Sequence, residues 1–345
     1  MSSSTLGYAE LTPQQVLDAL DAVGLFGDGR LLQLNSYENR VFQVMLEDGS
    51  AVVAKFYRPG RWSDAQIVEE HAFALELAAA EVPVVPPLIL HADALAGAAL
   101  TLQPADAPTL ALLDTAHGQL RLAVAARCAG REPEMDAPGT LAQLGRFIGR
   151  LHAVGARQRF EHRHRMDPRV DGRSARARLL ELGVVPPPEL PAWAAASDAA
   201  LGAVEAAFAR HGPLRTLRLH GDCHIGNVLW RSTGEGSGPH VVDLDDAMQG
   251  PAVQDLWMLV SGDATTMAQQ LDALLAGYRM FMDFDARERA LIEPLRTLRM
   301  LRHSAWLAER WSDPTFPLNF PFFGSAAYWN QQTTQLREQL EAMAG

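Results

Sequence analysis

The sequence predicts an α+β protein in two lobes: a small antiparallel sheet with one key helix, then a larger and mostly helical part. Three observations predict it. Short apolar runs bounded by polar turns crowd into the first 56 residues. A helix-period stripe follows them directly, and beyond residue 127 helical periodicity dominates. At 345 residues the chain is long enough for two lobes around one cleft, and 48% hydrophobic content suffices for a full core. The expected division is 1–126 and 127–345, with a hinge at about 125–131.

Thr12-Pro13-Gln14-Gln15 reads as a helix start, with Thr12 as cap, Pro13 in the first turn and Gln15 closing a capping box. Leu31–Leu34, the polar turn Asn35-Ser36-Tyr37-Glu38-Asn39 and Val41–Met45 read as strand, turn and strand. Glu47-Asp48-Gly49-Ser50 is a second turn. Ala51–Phe56 (AVVAKF) is then a third strand, in hairpin with the second.

Ser63 and Gln66 form another capping box. Ile67, Glu70, Ala74 and Leu77 then fall on one helical stripe, so Glu70 lies within an apolar face and needs a cationic partner. Lys55 stands on the strand just before. It is the single lysine among 30 basic residues, the other 29 being arginine. A site that needs a compact point charge on a slim stem resists replacement by the planar arginine fork.

Val82–Pro87 is expected to end that helix and enter another strand, and residues 91–118, rich in Ala, Pro and Gly, to form a variable loop. Leu120–Ala126 reads as a strand leading through Arg127-Cys128-Ala129-Gly130-Arg131 into the second lobe. Thr140–His152 is an amphipathic helix, Arg157–Arg178 a solvated loop and helix start, and residues 187–210 and 264–345 supply further helices. The aromatic residues of the last region, such as Trp306, Trp311 and Trp329, are expected mostly in the core.

The chemistry concentrates between Leu219 and Asp246. LHGDCHIGNVLW supplies His220, Asp222, His224 and Asn227; HVVDLDD supplies Asp243, Asp245 and Asp246. Asn227 should open one strand of a hairpin and Asp243 close the other, with His240–Asp245 extended and Asp243 and Asp245 on one face. A neutral and an anionic oxygen then converge, a set that suits Mg²⁺. Asp222, five residues before Asn227, is free to accept a hydroxyl proton. These parts serve phosphoryl transfer, where the protein supplies mainly position and charge. The same residues also read as a metal-hydrolase site; Lys55 and Glu70 favour ATP.

Five segments carry a resemblance: LNSYENR, AKFYRPGRW, LHGDCHIGNVLW, VDLDDAMQGPAVQDLWML and RWSDPTFPLNFP. The ordered set resembles the aminoglycoside-phosphotransferase and choline-kinase branch of the protein-kinase-like fold. More specifically, it is similar to the bacterial stress response kinase A (RdoA/YihE) family, whose members are cytoplasmic, ATP-dependent Ser/Thr protein kinases tied to envelope stress. The resemblance implies Asp222 as catalytic base, with Asn227 and Asp243 as Mg²⁺ ligands. It implies that Lys55 holds the ATP phosphates and pairs with Glu70, and that Ser36 caps the phosphates. The crossover from Ala125 to Cys128 would bond the adenine edge. His220 and Asp255 would support the catalytic loop, and Asp245 would be a second metal contact or outer support. The phosphate turn lacks G-x-G-x-x-G, so backbone N–H groups and the Ser36 hydroxyl must cradle the anion. VDLDD likewise lacks the D-F-G and A-P-E frame of activation-loop control.

The implied partner is a protein bearing a Ser or Thr hydroxyl, and the implied chain is a monomer. A small-molecule kinase for an amino alcohol, sugar or antibiotic would use the same catalytic residues. A metallophosphoesterase would cage two metals with His220, Asp222, His224, Asn227 and Asp243, but gives Lys55 and Glu70 no role. A non-catalytic nucleotide-binding scaffold leaves the catalytic set unexplained. The net charge of −11 argues against general nucleic-acid binding. The N-terminus shows no signal pattern, no run of apolar residues is long enough to span a membrane, and the two separated cysteines suit a reduced, cytoplasmic protein.

Overall fold

A computed structural model describes residues 11–93, 100–116, 118–231 and 237–344. Helix α1 (Pro13–Asp21) starts at the Thr12/Gln15 capping box, both halves of which form. Strands β1 (Gly27–Gln33), β2 (Arg40–Leu46) and β3 (Ala51–Phe56) follow, then helix α2 (Asp64–Ala79), which opens on the Ser63/Gln66 box. The rest of the sheet is β4 (Leu100–Gln103), β5 (Leu110–Thr115) and β6 (Gly118–Ala126). All six strands join in one sheet of order β1-β2-β3-β6-β5-β4, with antiparallel neighbours throughout.

Alternation along β3 buries Val52, Ala54 and Phe56 against α1 and the inner face. Lys55 therefore faces the other way, in register with Val41 of β2 and Ala123 of β6. The helical stripe of α2 is buried as its spacing predicts: Ile67, Glu70, Ala74 and Leu77 are all inside.

Two sequence expectations fail here. Residues 91–118 are not a loop, because β4 and β5 lie within them. Leu110–Leu113 is buried on both faces, so it shows a short apolar run without alternation, which sequence periodicity does not separate from other structure. Residues 94–99, part of that same segment, lie outside the described residues. Conversely, Val82–Pro87 is not a strand. Its three prolines remove ladder donors, and it makes only isolated bridges, Val84 to Val241 and Pro87 to Ala125.

The second part holds α3 (Thr140–Gly155), α4 (Pro168–Glu181), α5 (Leu190–His211), α6 (Val253–Trp257), α7 (Ala264–Tyr278), α8 (Ile292–Glu309), α9 (Thr315–Asn319) and α10 (Ala326–Ala344). Short strands β7 (Leu217–Leu219), β8 (Val228–Arg231), β9 (Gly238–Val241) and β10 (Met248–Gly250) form two small ladders, β7 with β10 and β8 with β9. No described helix is long and apolar enough to cross a membrane. Helices α3 and α7 pack backbone to backbone. A Cβ on Gly145 would sit 1.8 Å from the Leu274 carbonyl oxygen, and one on Gly149 2.6 Å from that of Tyr278. Of the aromatic tail, Phe316, Phe323 and Trp329 are buried with Trp193 in a second helical core, Trp306, Trp311, Phe320 and Tyr328 pack partly buried against it, and Phe322 is exposed.

Candidate active site

The loop after β7 is held from beneath. Asp255, fully buried on α6, accepts the backbone N–H groups of His220 and Gly221, each at 2.8 Å, and binds His152 of α3 at 3.1 Å. His220 is itself buried and its Nε2 lies 2.9 Å from the Val242 carbonyl oxygen. That ring ties the loop to the strand end opposite and cannot serve as an exposed metal ligand. Gly221 takes φ +85°, where a Cβ would meet the Asp246 carbonyl oxygen at 2.1 Å, so no other residue fits.

The Asn227 side-chain amide donates to the Asp222 carbonyl oxygen at 2.9 Å, which sets the loop's width. Its remaining oxygen is the atom left for a cation. The Asp222 carboxylate points into the cleft, touched by Arg299 of α8 through a short ion pair and by His224 at 3.5 Å. Burial works against its charge, but the His224 hydrogen bond and the Arg299 charge outweigh it and hold Asp222 well below the usual carboxylate range.

The acidic turn differs from its expected form. Strand β9 ends at Val241, and Asp243 adopts φ +63°, a left-handed conformation rare outside glycine. Leu244–Asp246 then make one 3₁₀ turn. The two carboxylates still converge, but through this kink rather than by strand alternation: Lys55 Nζ lies 3.1 Å from Asp243 and 3.2 Å from Asp245. Asp243 stays about half exposed to the cleft (51%), whereas the Asp245 side chain is 4% exposed. Asp245 also accepts from Asn39 Nδ2 at 2.6 Å and pairs with Arg61 at 3.3 Å. Burial would raise its carboxyl, but the Lys55 and Arg61 charges bring it down to about 2.

Lys55 therefore pairs with Asp243 and Asp245 and not with Glu70. The helix stripe correctly turned Glu70 inward, yet the lysine meets two acids on the facing turn and stays with them. Burial pushes the Glu70 carboxyl up to about 7, with the Lys55 charge the main opposing influence. Its neighbour His71, 3.7 Å away, is held neutral because burial drives its pKa down to about 3. That ring bridges Tyr57 and Thr109 at 2.8 and 2.9 Å.

The turn between β1 and β2 is latched to the helical part. Glu38 accepts from Trp306 Nε1 at 2.5 Å and pairs with Arg310 at 2.6 Å, while Asp313 takes Arg58 at 2.7 Å and Arg40 at 3.1 Å. Ser36, Ala125 and Cys128 all line the same cleft as Lys55, Asp222, Asn227 and Asp243, a cavity of about 1230 Å³. Asn39, Arg61, Arg163, Arg299 and the Glu38 latch were not legible as site residues. Arg163 stood in a stretch expected to be solvated, but it is buried, bonding the backbone carbonyls of Asp245 and Ala247. Of these residues, Glu38 and Asn39 carried a signal inside LNSYENR, Arg61 inside AKFYRPGRW and Arg310 inside RWSDPTFPLNFP, whereas Arg163 and Arg299 carried none.

Residues 30–292 match the Phosphotransferase enzyme family. The chain is also 39% identical over 343 residues to the "Serine/threonine protein kinase RdoA" of Salmonella typhimurium and to the "Stress response kinase A" of Escherichia coli K12, covering 99% of this chain and 97% of each relative. The chain belongs to the phosphotransferase enzyme family, among the stress response kinase A proteins. The fold is shared with an amicoumacin kinase (TM-score 0.67, 19% identity, 95% of this chain and 93% of that one). It is shared too with a microcompartment-associated aminopropanol kinase (TM-score 0.67, 17% identity, 95% of both chains). Among the described residues no group of three or more His, Cys, Asp or Glu could hold a metal ion. A phosphotransferase needs no such cage: one amide and one carboxylate suit Mg²⁺, which keeps waters and takes substrate phosphates. Asn227 and half-exposed Asp243 have that chemistry.

Proposed function

We propose that this phosphotransferase is an ATP- and Mg²⁺-dependent Ser/Thr protein kinase. The observation that carries the reading is the gathering of Lys55, Asp222, Asn227 and Asp243 in one cleft from three separate segments: β3, the loop after β7 and the turn after β9. Asn227 and Asp243 would hold the cation, Lys55 and the turn at Ser36 the phosphates, and the crossover near Ala125 and Cys128 the adenine edge. The same crossover serves as the hinge between residues 1–126 and 127–345. When bound, Mg²⁺-ATP supplies the γ-phosphoryl group and neutralises the charge that develops on its oxygens.

The chain's own residues do the rest. Asp222, ionised and rigidly based, orients the acceptor hydroxyl and takes its proton as the new O–P bond forms and the bond to the leaving phosphate breaks. Asp255 and His220 fix the loop so that the carboxylate does not drift. Lys55 can exchange Asp243 for a phosphate or for Glu70 by rotation of its long stem, which the protein-kinase-like arrangement requires. Asp245 remains as outer support, since Asn39, Lys55, Arg61 and Arg163 already surround it. The protein acceptor rests on the likeness to the serine/threonine kinase relatives.

The test is labelled ATP with a generic protein substrate, beside a panel of amino alcohols and sugars. Asp222→Ala should bind ATP normally and lose about 10²–10⁴-fold in transfer rate. Full phosphotransfer by that variant would dispose of the base assignment. Turnover of a small alcohol with no protein labelled would instead make this a small-molecule kinase.

A further inference from the structure

The wall of the cleft facing Asp222 is arginine-rich, and its charges do not balance. Arg299, Arg302, His303 and Trp306 lie at three- and four-residue spacing on α8 and all line the cavity. The acids on this side are already engaged. Asp171 binds His164 at 3.0 Å and the Asp167 N–H at 3.1 Å. Glu309 pairs with Arg178 at 3.2 Å and with Arg310 at 3.1 Å, and Arg310 also pairs with Glu38.

Arg302 makes no hydrogen bond or ion pair among the described residues, although it is only partly exposed. Arg299 uses one guanidinium nitrogen, Nη1, on Asp222, with Met258 Sδ 3.9 Å away. Its other two nitrogens make no hydrogen bond among the described residues. Two planar donor forks, one turn apart on this wall, thus have donors to spare, and the first of them touches the base. That is the geometry that takes a carboxylate in a bidentate way, which a lysine pair would not do.

We propose that Arg299 and Arg302 form an acceptor-side anion subsite, which selects a Ser or Thr hydroxyl flanked by an acidic side chain. This rests on the protein-kinase reading above and names its substrate class. Arg299, anchored on Asp222, sets the distance between the acidic side chain and the hydroxyl to be phosphorylated. Arg302, with no partner among the described residues to give up, supplies the charge that discriminates. An acceptor flanked by basic residues would meet two cations on this wall and be disfavoured.

The experiment is a peptide library with one central Ser and flanking Glu, Gln or Arg, with Mg²⁺ and labelled ATP. The wild type should favour Glu over Gln by on the order of tenfold in kcat/KM, the size expected of one charge-assisted contact. Arg302→Glu should abolish that preference and shift it toward Arg-flanked peptides, while Arg299→Ala should weaken it. Binding of a fluorescent ATP analogue by each variant shows that it is folded, so a lost preference is read at the acceptor site. Peptides labelled without regard to flanking charge, or an acidic preference that survives in Arg302→Glu, would overturn the subsite and leave the protein-kinase reading standing. No peptide labelled, with a small alcohol turned over, would overturn that reading and the subsite with it.

Discussion

At Glu70, burial and ionisation pull against each other. Its carboxyl is pushed from 4.5 up to about 7 because it is buried, and the lysine that partly offsets this is paired with two acids of the opposite turn. The sign of the pH effect follows. Between these two values the unfolded chain has released the proton and the folded chain keeps it, so stability falls as pH rises through that window and stays reduced above it. Glu70→Gln removes the ionisation. It should gain stability of the order of 2 kcal/mol over wild type at pH about 8 and almost none at pH about 4, read by urea unfolding. An equal gain at both pH values would show that packing, not charge, was responsible. The same variant should lose transfer activity if Lys55 must reach Glu70 during turnover. That Glu70 points inward was legible from its spacing on a helix. That Lys55 prefers Asp243 and Asp245 was not, because the choice among three carboxylates depends on tertiary distances no single segment encodes.

The elements that position the site are fixed by local rules and by close packing. Both capping boxes, the β2–β3 hairpin and α3 follow from residues within a few positions of each other, and all were legible. β5 was not, since a strand buried on both faces shows no alternation, and neither was β4, which is only four residues long. Nor was the kink at Asp243, where a run reading as strand is bent by a left-handed residue. The α3–α7 contact is a packing device of a different kind. Gly145→Val would place a side chain where the Leu274 carbonyl now sits, and the two helices would have to separate. Overpacking of this kind costs about 1–3 kcal/mol or more, so melting should come several degrees lower. Because His152 of α3 supports Asp255, which holds the His220-Gly221 backbone, activity at low temperature should fall as well. If the variant melts lower but turns over normally, α3 does not set the loop.

For the molecule as a whole, the sheet and the helical part are joined by charge. Lys55, Arg58 and Arg61 reach across to Asp243, Asp245, Asp246 and Asp313, and Glu38 reaches to Arg310. None of these pairs is local in sequence, which is why the motifs announced the chemistry but not the clamp. The cleft side of this arrangement gathers Asp222, Asp243, Asp245 and Asp246 within two short turns, and their mutual repulsion is offset chiefly by Lys55, Arg61 and Arg299. A divalent cation held as proposed by Asn227 and Asp243 would add positive charge where it is short, and would free Lys55 for a phosphate. Nucleotide and metal should therefore bind cooperatively. Mg²⁺-ATP at about 100 times its Kd should raise stability by about 2.7 kcal/mol, seen as a shift in melting temperature. ATP with a chelator should give much less. Asp243→Ala should lose the Mg²⁺-dependent part while keeping the response to ATP alone, because that variant leaves Lys55 with Asp245 and the phosphates. If Asp243→Ala still shows the full Mg²⁺-dependent shift, the cation sits elsewhere and Asp243 serves only to hold Lys55.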